Sequence, residues 1–157
     1  MKTQALNLVL ARLEERLAHS PSPAGRFPGL WIHPDGPAAA QTLVPEQFFR
    51  DRLRAILSAP RRKRVTDGDV PGDWGKHAIA YNLLVRYGAA FDHDGDGRIS
   101  CEPLPSGWRE TGTFLKAITL LPFIRSLGCN TIHLLPITAI GQDGNKGDMG
   151  SAFAIRD

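Results

Sequence analysis

The chain has 157 residues and a mass of 17.2 kDa, enough for one ordinary domain. That is short of the ~250 residues that an eight-fold strand–helix barrel needs. Hydrophobic residues make up 42% and charged residues 22%, which excludes wholesale disorder, a collagen-like repeat and a disulfide scaffold. Lys and Arg number 19 against 16 Asp and Glu, and a net charge of +3 is too small a surplus to mark a nucleic-acid binder.

Cys101 and Cys129 stand in unrelated contexts, without a Cys-x-x-Cys pair. They read as reduced thiols of a cytoplasmic protein. No apolar run is long enough to span a membrane. The run after Lys2 is interrupted by Asn7 and closed by Arg12, Glu14, Glu15 and Arg16, so it reads as a helix and not as an export signal.

In chain order, residues 3–18 form an amphipathic helix, with Leu6, Val9, Leu10, Leu13 and Leu17 on one face. The Ser-Pro-Ser-Pro-Ala-Gly stretch at 20–25 ends it, because two prolines cannot continue a helix. Residues 27–34, with Leu30, Trp31 and Ile32, read as a short extended segment. Pro45 opens a second helix through about Ser58, with Phe48, Phe49, Leu53, Ile56 and Leu57 as its apolar face. The basic run Arg61-Arg62-Lys63-Arg64 reads as a solvated linker in preference to a nucleic-acid patch, since Pro60 and a polar stretch flank it. A boundary near residue 75 would make 1–75 a small helical N-terminal region.

Residues 78–85 read as a largely buried strand. Residues 112–127 read as a helix that kinks or restarts at Pro122, with Gly128 as the left-handed residue at its end. Residues 131–135 read as a second buried strand, stopped by Pro136, and His133 within it as a core histidine. Strand, helix, strand is a βαβ unit, which places two parallel strands in one sheet.

The segment 92–100 carries the most pointed chemistry. Asp92, Asp94 and Asp96 alternate, Gly97 permits a sharp turn, and the Arg98 carbonyl can turn inward. Hard cations such as Ca²⁺ need six to eight oxygens, which this spacing wraps around one point. Glu102 or the Ser100 hydroxyl would add a further ligand. Position 12 of the loop is Pro103 in place of the bidentate Glu of an EF-hand, and a strand precedes it in place of a helix. The competing reading is an Asx-rich turn closed by side-chain to backbone hydrogen bonds. His93 takes an outward position there and reads as a bystander.

Five segments in order resemble the alpha-amylase family, glycoside hydrolase family 13. Ala80-Tyr81-Asn82-Leu83-Leu84-Val85-Arg86 fits its first barrel strand, and the acidic loop follows where many members carry a metal loop. Gly112-Thr113-Phe114 through Gly128 is similar to its first barrel helix. Cys129-Asn130-Thr131-Ile132-His133-Leu134-Leu135-Pro136-Ile137 is similar to its second strand. Gly150-Ser151-Ala152-Phe153-Ala154-Ile155-Arg156-Asp157 is similar to its Gly-Ser-Pro-Tyr-x-Ile-x-Asp segment, with Ala152 for Pro and Phe153 for Tyr.

The resemblance implies an α/β fold. Residues 76–157 would be the first part of a (β/α)₈ TIM barrel, two strands and one helix, preceded by the helical region 1–75. It implies an enzyme of carbohydrate metabolism acting on α-glucosidic bonds of starch or maltodextrin by a retaining mechanism. The family's catalytic carboxylates stand on the fourth, fifth and seventh strands, so none is expected within these residues. The chain reads as an N-terminal fragment, inactive alone. Phe153 would stack on the sugar, the alternative being a core residue, and Asp157 would be mainly structural. Residues 141–149 would be a substrate-rim loop, since they lack the spacing of a phosphate loop. The partners implied are an α-glucan or oligosaccharide, with no nucleic acid and no membrane. A small calcium-binding module and a degenerate, non-enzymatic paralogue are the competing readings.

Overall fold

The computed structural model describes residues 4–33, 39–60, 72–141, 147, 149–151 and 153–154. The basic run at 61–64, Ala152, Asp157 and most of the 141–149 loop lie outside the described residues. The chain is a mixed α/β structure with two two-stranded sheets and no closed barrel among the described residues. No described helix is long and apolar enough to cross a membrane.

Helix α1 spans Gln4–His19 and turns Leu13 into the core, with Leu6 and Val9 packed beside it. Strand β1, Gly25–Phe27, pairs antiparallel with β2, Gln41–Leu43. Between them, Gly29–Ile32 is one helical turn, α2. This corrects the extended reading of Leu30, Trp31 and Ile32. Pro28 starts the turn, the Trp31 N–H donates to its carbonyl at 3.0 Å, and the His33 N–H closes on the Gly29 carbonyl at 2.7 Å. The turn delivers the Trp31 ring to the core, where it is 5% exposed.

Helix α3, Pro45–Ser58, begins on the expected proline and buries Phe48, Phe49 and Leu53. After a 3₁₀ turn at Asp73–His77 comes strand β3, Ala80–Leu83, and the short helix α4, Val85–Gly88. The crossover is two helices in place of one. Helix α5 is Phe114–Thr119 and α6 is Leu121–Ser126, with Pro122 in the first turn of α6, where its missing N–H costs least. The Thr113 hydroxyl caps α5 by accepting the Lys116 N–H at 3.3 Å. Gly128 ends the crossover at φ 84°.

Strand β4, Thr131–Leu134, pairs parallel with β3 in the register Ala80↔Thr131 to Leu83↔Leu134. The parallel βαβ unit therefore forms. The strands are less buried than expected, since Ala80, Asn82, His133 and Leu134 are exposed and only Leu83 is buried. The physical reason is coverage. An apolar run is fully buried in a sheet covered on both faces, whereas this sheet has two strands. His133 is accordingly a surface residue, its Nδ1 2.8 Å from Asn82 Oδ1, and not a core histidine.

One aromatic cluster holds the pieces together, and it runs across residue 75. Phe27 is fully buried, its ring centroid 4.5 Å from Phe48, 5.7 Å from Phe49 and 5.1 Å from His93. Ala89, Leu120 and Ile124 from the second half close the same core against Leu13 and Leu53. At its edge Glu46, fully buried, accepts from the Ser22 hydroxyl at 2.6 Å and pairs with Arg16 at 3.1 Å. Burial pushes the Glu46 carboxyl up, but the Ser22 and main-chain hydrogen bonds and the Arg16 charge win and hold it below its usual value.

Lys116 is the exceptional core residue, 1% exposed on α5. Its ammonium donates to the Glu110 and Thr111 carbonyls at 3.0 and 3.3 Å and lies 5.8 Å from the Trp31 ring centroid. Burial pushes its pKa down to about 7, against the upward pull of the Glu110 charge. Between that value and the unfolded lysine value near ~10.4, the unfolded chain binds more protons, so stability rises with pH. We expect urea melts to show the wild type gaining on the order of 3 kcal/mol between pH 7 and pH 10 from this group. Lys116→Met should flatten that rise, and an equal slope in the two proteins would contradict the assignment.

Candidate metal centre

The acidic loop folds as its spacing requires. Asp92 Oδ1 accepts the Gly95 N–H at 2.5 Å and Asp92 Oδ2 the Gly97 N–H at 3.0 Å. Asp94 Oδ1 accepts from Asp96 at 3.1 Å, and Asp96 Oδ1 from Arg98 at 2.8 Å. Gly97 sits at φ 84°, a conformation that costs a side-chain-bearing residue strain. The result gathers one carboxylate oxygen from each of Asp92, Asp94 and Asp96 within 4.8 Å of one another.

The same geometry also satisfies the Asx-turn reading. Each carboxylate gives part of its accepting capacity to main-chain N–H groups. A carboxylate offers about four lone-pair sites, so capacity remains for a cation. The donor set is hard, anionic and oxygen-only, which fits Ca²⁺. Electrostatics separates the carboxylates. Desolvation pushes Asp92 up, but the N–H groups of Gly97, Gly95 and Asp96 and the Arg26 charge win and hold it below its usual value. At Asp94 the Asp96 N–H pulls downward, but desolvation and the charges of Glu110, Asp96 and Asp92 win and push it up. Arg98 belongs to this turn through its N–H, whereas the Glu102 carboxylate stays outside the gathered group. Glu102 is exposed and its main chain closes on the Ser100 hydroxyl, after which Pro103 bridges to Arg109 and turns the chain back.

Two residues take roles in this loop that the sequence did not show. The first is Glu110, 1% exposed, which accepts the N–H groups of His93 at 2.7 Å, Asp94 at 3.3 Å and Ser100 at 2.9 Å. One buried carboxylate thus ties both ends of the acidic turn. The second is His93, which faces inward and not outward. It is 8% exposed, packs on Phe27 and Phe91, and donates from Nδ1 to the Arg26 carbonyl at 2.6 Å. Desolvation first and the Lys116 charge second hold its pKa below the usual histidine value.

A second cluster forms at the carboxyl ends of β3 and β4. Tyr87 Oη donates to the Gly150 carbonyl at 2.7 Å, Arg86 to the Met149 carbonyl at 3.0 Å, and the Gly141 N–H to the Ala154 carbonyl at 2.8 Å. These bonds hold Met149, Gly150 and Ala154 near a cleft of about 160 Å³ bordered by Arg86, Tyr87, Phe114 and Ile137. Phe153 is 72% exposed on the adjoining turn, so it is not a core residue. The chain matches no protein-family model and no curated protein.

Removing Glu110 tests the loop's internal anchor. Glu110→Ala should cost about 2–4 kcal/mol, because it strands N–H groups in a buried site. Amide exchange should accelerate at His93, Asp94 and Ser100 beyond the change at β3. Uniform acceleration across the chain would argue against a local anchor.

Proposed function

We propose that this chain forms the opening segment of an alpha-amylase-type catalytic barrel, with a calcium-binding loop after its first strand. The observation that carries this reading is the parallel β3–crossover–β4 unit, in which the loops following both strands meet at the strand carboxyl ends. Barrel enzymes build their active sites at that end. Strand β3, the crossover helices and β4 fall on three of the five segments that carry the resemblance.

On this reading the protein acts on α-glucosidic bonds of starch-type glucans with retention of configuration. Retention requires two carboxyl groups ~5–5.5 Å apart, one attacking the anomeric carbon and one protonating the leaving oxygen. Those groups belong to later barrel strands. The residues seen here supply the rim. Phe153 offers an exposed ring for stacking on a sugar face. Its missing hydroxyl removes the hydrogen bond that Tyr would make. Asp92, Asp94 and Asp96, with the Arg98 carbonyl, would hold Ca²⁺, whose role is to lock the loop and relieve the repulsion between carboxylates.

The test is the reading frame beyond codon 157 and the protein that it encodes. We expect maltoheptaose hydrolysis, with new reducing ends appearing first as the α-anomer by proton NMR. Phe153→Ala should lower kcat/KM about tenfold or more, the loss of one aromatic contact, and Phe153→Tyr should retain activity. A frame without barrel-strand carboxylates, or a protein inert towards α-glucans, would overturn the reading.

The cation site is tested separately. Calorimetric titration with CaCl₂ should show saturable binding with one site per chain. Asp96→Asn should weaken it about tenfold or more, as expected for losing a charged ligand. Heat exchange indistinguishable between wild type and variant would leave the loop as an Asx turn alone.

A further inference from the structure

Two Asp-Gly pairs, Asp94-Gly95 and Asp96-Gly97, stand side by side in the acidic turn, and all four residues are exposed to water. An Asp-Gly pair is chemically reactive, because glycine has no Cβ to keep the preceding carboxyl group away from its nitrogen. The reaction is a ring closure. The glycine nitrogen bonds to the aspartate Cγ, the Cγ–OH bond breaks, and the hydroxyl leaves with the N–H proton as water. Water then reopens the resulting succinimide at either carbonyl. Opening at the main-chain carbonyl leaves the chain running through the side-chain carbon, which is isoaspartate. The water lost in the first step is regained in the second, so no oxidant or reductant is involved.

Ring closure needs a free glycine N–H with the aspartate Cγ brought over it. The turn denies both conditions. Asp92 Oδ1 holds the Gly95 N–H at 2.5 Å, and Asp92 Oδ2 holds the Gly97 N–H at 3.0 Å. An anionic acceptor on an N–H also opposes the loss of its proton. Asp94 Oδ1 and Asp96 Oδ1 meanwhile reach past the glycines to the N–H groups of Asp96, at 3.1 Å, and Arg98, at 2.8 Å. Each reactive carboxyl group is thus turned to the nitrogen two residues on and away from the adjacent one.

We propose that Asp94-Gly95 and Asp96-Gly97 are latent sites of isoaspartate formation, and that the Asp92 carboxylate keeps both closed. One side chain guards two bonds because each of its oxygens takes one glycine. Conversion would lengthen the main chain by one carbon and shorten the side chain by one, which destroys the spacing that gathers the three carboxylates within 4.8 Å. The proposal depends neither on the α-glucan reading nor on cation binding, since it uses only the hydrogen bonds of the turn.

The test is ageing of the full chain at body temperature and neutral pH in the presence of EDTA. Peptide mapping by electron-transfer dissociation distinguishes isoaspartate from aspartate at each position. Asp67-Gly68 and Asp143-Gly144 serve as reference bonds in the same sample. In the folded wild type, isoaspartate should accumulate at 94 and 96 about tenfold or more slowly than in guanidinium chloride, as expected for holding an N–H on a charged acceptor. Asp92→Ala should raise both rates about tenfold or more while the reference bonds keep theirs. Asp92→Asn retains one accepting oxygen and should raise one of the two bonds above the other. Equal rates at 94 and 96 in folded and denatured wild type would overturn the proposal. So would unchanged rates in a folded Asp92→Ala. If Asp92→Ala fails to fold, Asp92→Asn decides, and no rise at either bond would overturn it.

Discussion

Two backbone residues, Arg26 and His93, exchange the hydrogen bonds on which the rest of the structure depends. The Arg26 N–H donates to the His93 carbonyl at 2.9 Å, and the His93 ring returns a bond to the Arg26 carbonyl at 2.6 Å. They lie 67 residues apart, so this pair fixes how the N-terminal segment meets the acidic loop. Phe27, the next residue, is then carried into the centre of the aromatic cluster, where Phe48, Phe49 and Trp31 surround it. Gly25 on the other side leaves room, since a Cβ there would stand 3.3 Å from the His93 carbonyl oxygen.

Beneath that junction the structure buries two opposite charges without pairing them directly. Glu110 uses its carboxylate on N–H groups of the acidic turn, while its carbonyl accepts from the Lys116 ammonium. Buried charges are costly unless every proton and lone pair is used. Here the geometry uses them to hold irregular backbone, because residues 89–113 contain no long element that could satisfy their own main chain. The acidic turn is thereby held in shape by its own main chain and by the Glu110 carboxylate.

The parts of this architecture written in local pattern were legible. Helix α3 starts on Pro45 because proline fits a first helical turn, and its apolar spacing reaches Ser58 without a breaker. The restart at Pro122 and the left-handed Gly128 follow from residue chemistry alone. The alternating aspartates predicted their own convergence. What could not be read was burial set by distant partners. Glu110 lies between Arg109 and Thr111 with no apolar periodicity, and Lys116 is a residue type that normally faces water. His93 looked outward in the turn's local geometry, and distant partners, β1 with Arg26 and Phe27 and the Trp31 ring, make it a core residue. The strands failed in the opposite sense. Their apolar runs suggested burial, but burial depends on layers that two strands do not supply.

The neck of the acidic excursion has a consequence of its own. The Gly112 N–H bonds the Arg86 carbonyl at 2.8 Å, and a Cβ on Gly112 would stand 1.7 Å from the Val85 carbonyl oxygen. The chain therefore leaves β3 and returns to α5 through one closed ring, with a further rung from Phe91 N–H to the Glu110 carbonyl at 2.9 Å. Doubling the length of a flexible loop beyond a fixed neck adds only about 0.6 kcal/mol of closure entropy. Insertions at the exposed turn around Asp96 and Gly97 can thus lengthen the excursion without displacing the sheet, whereas any side chain at Gly112 forces it away from the start of α4. The neck, and not the tip, sets where evolution or an engineer can add sequence.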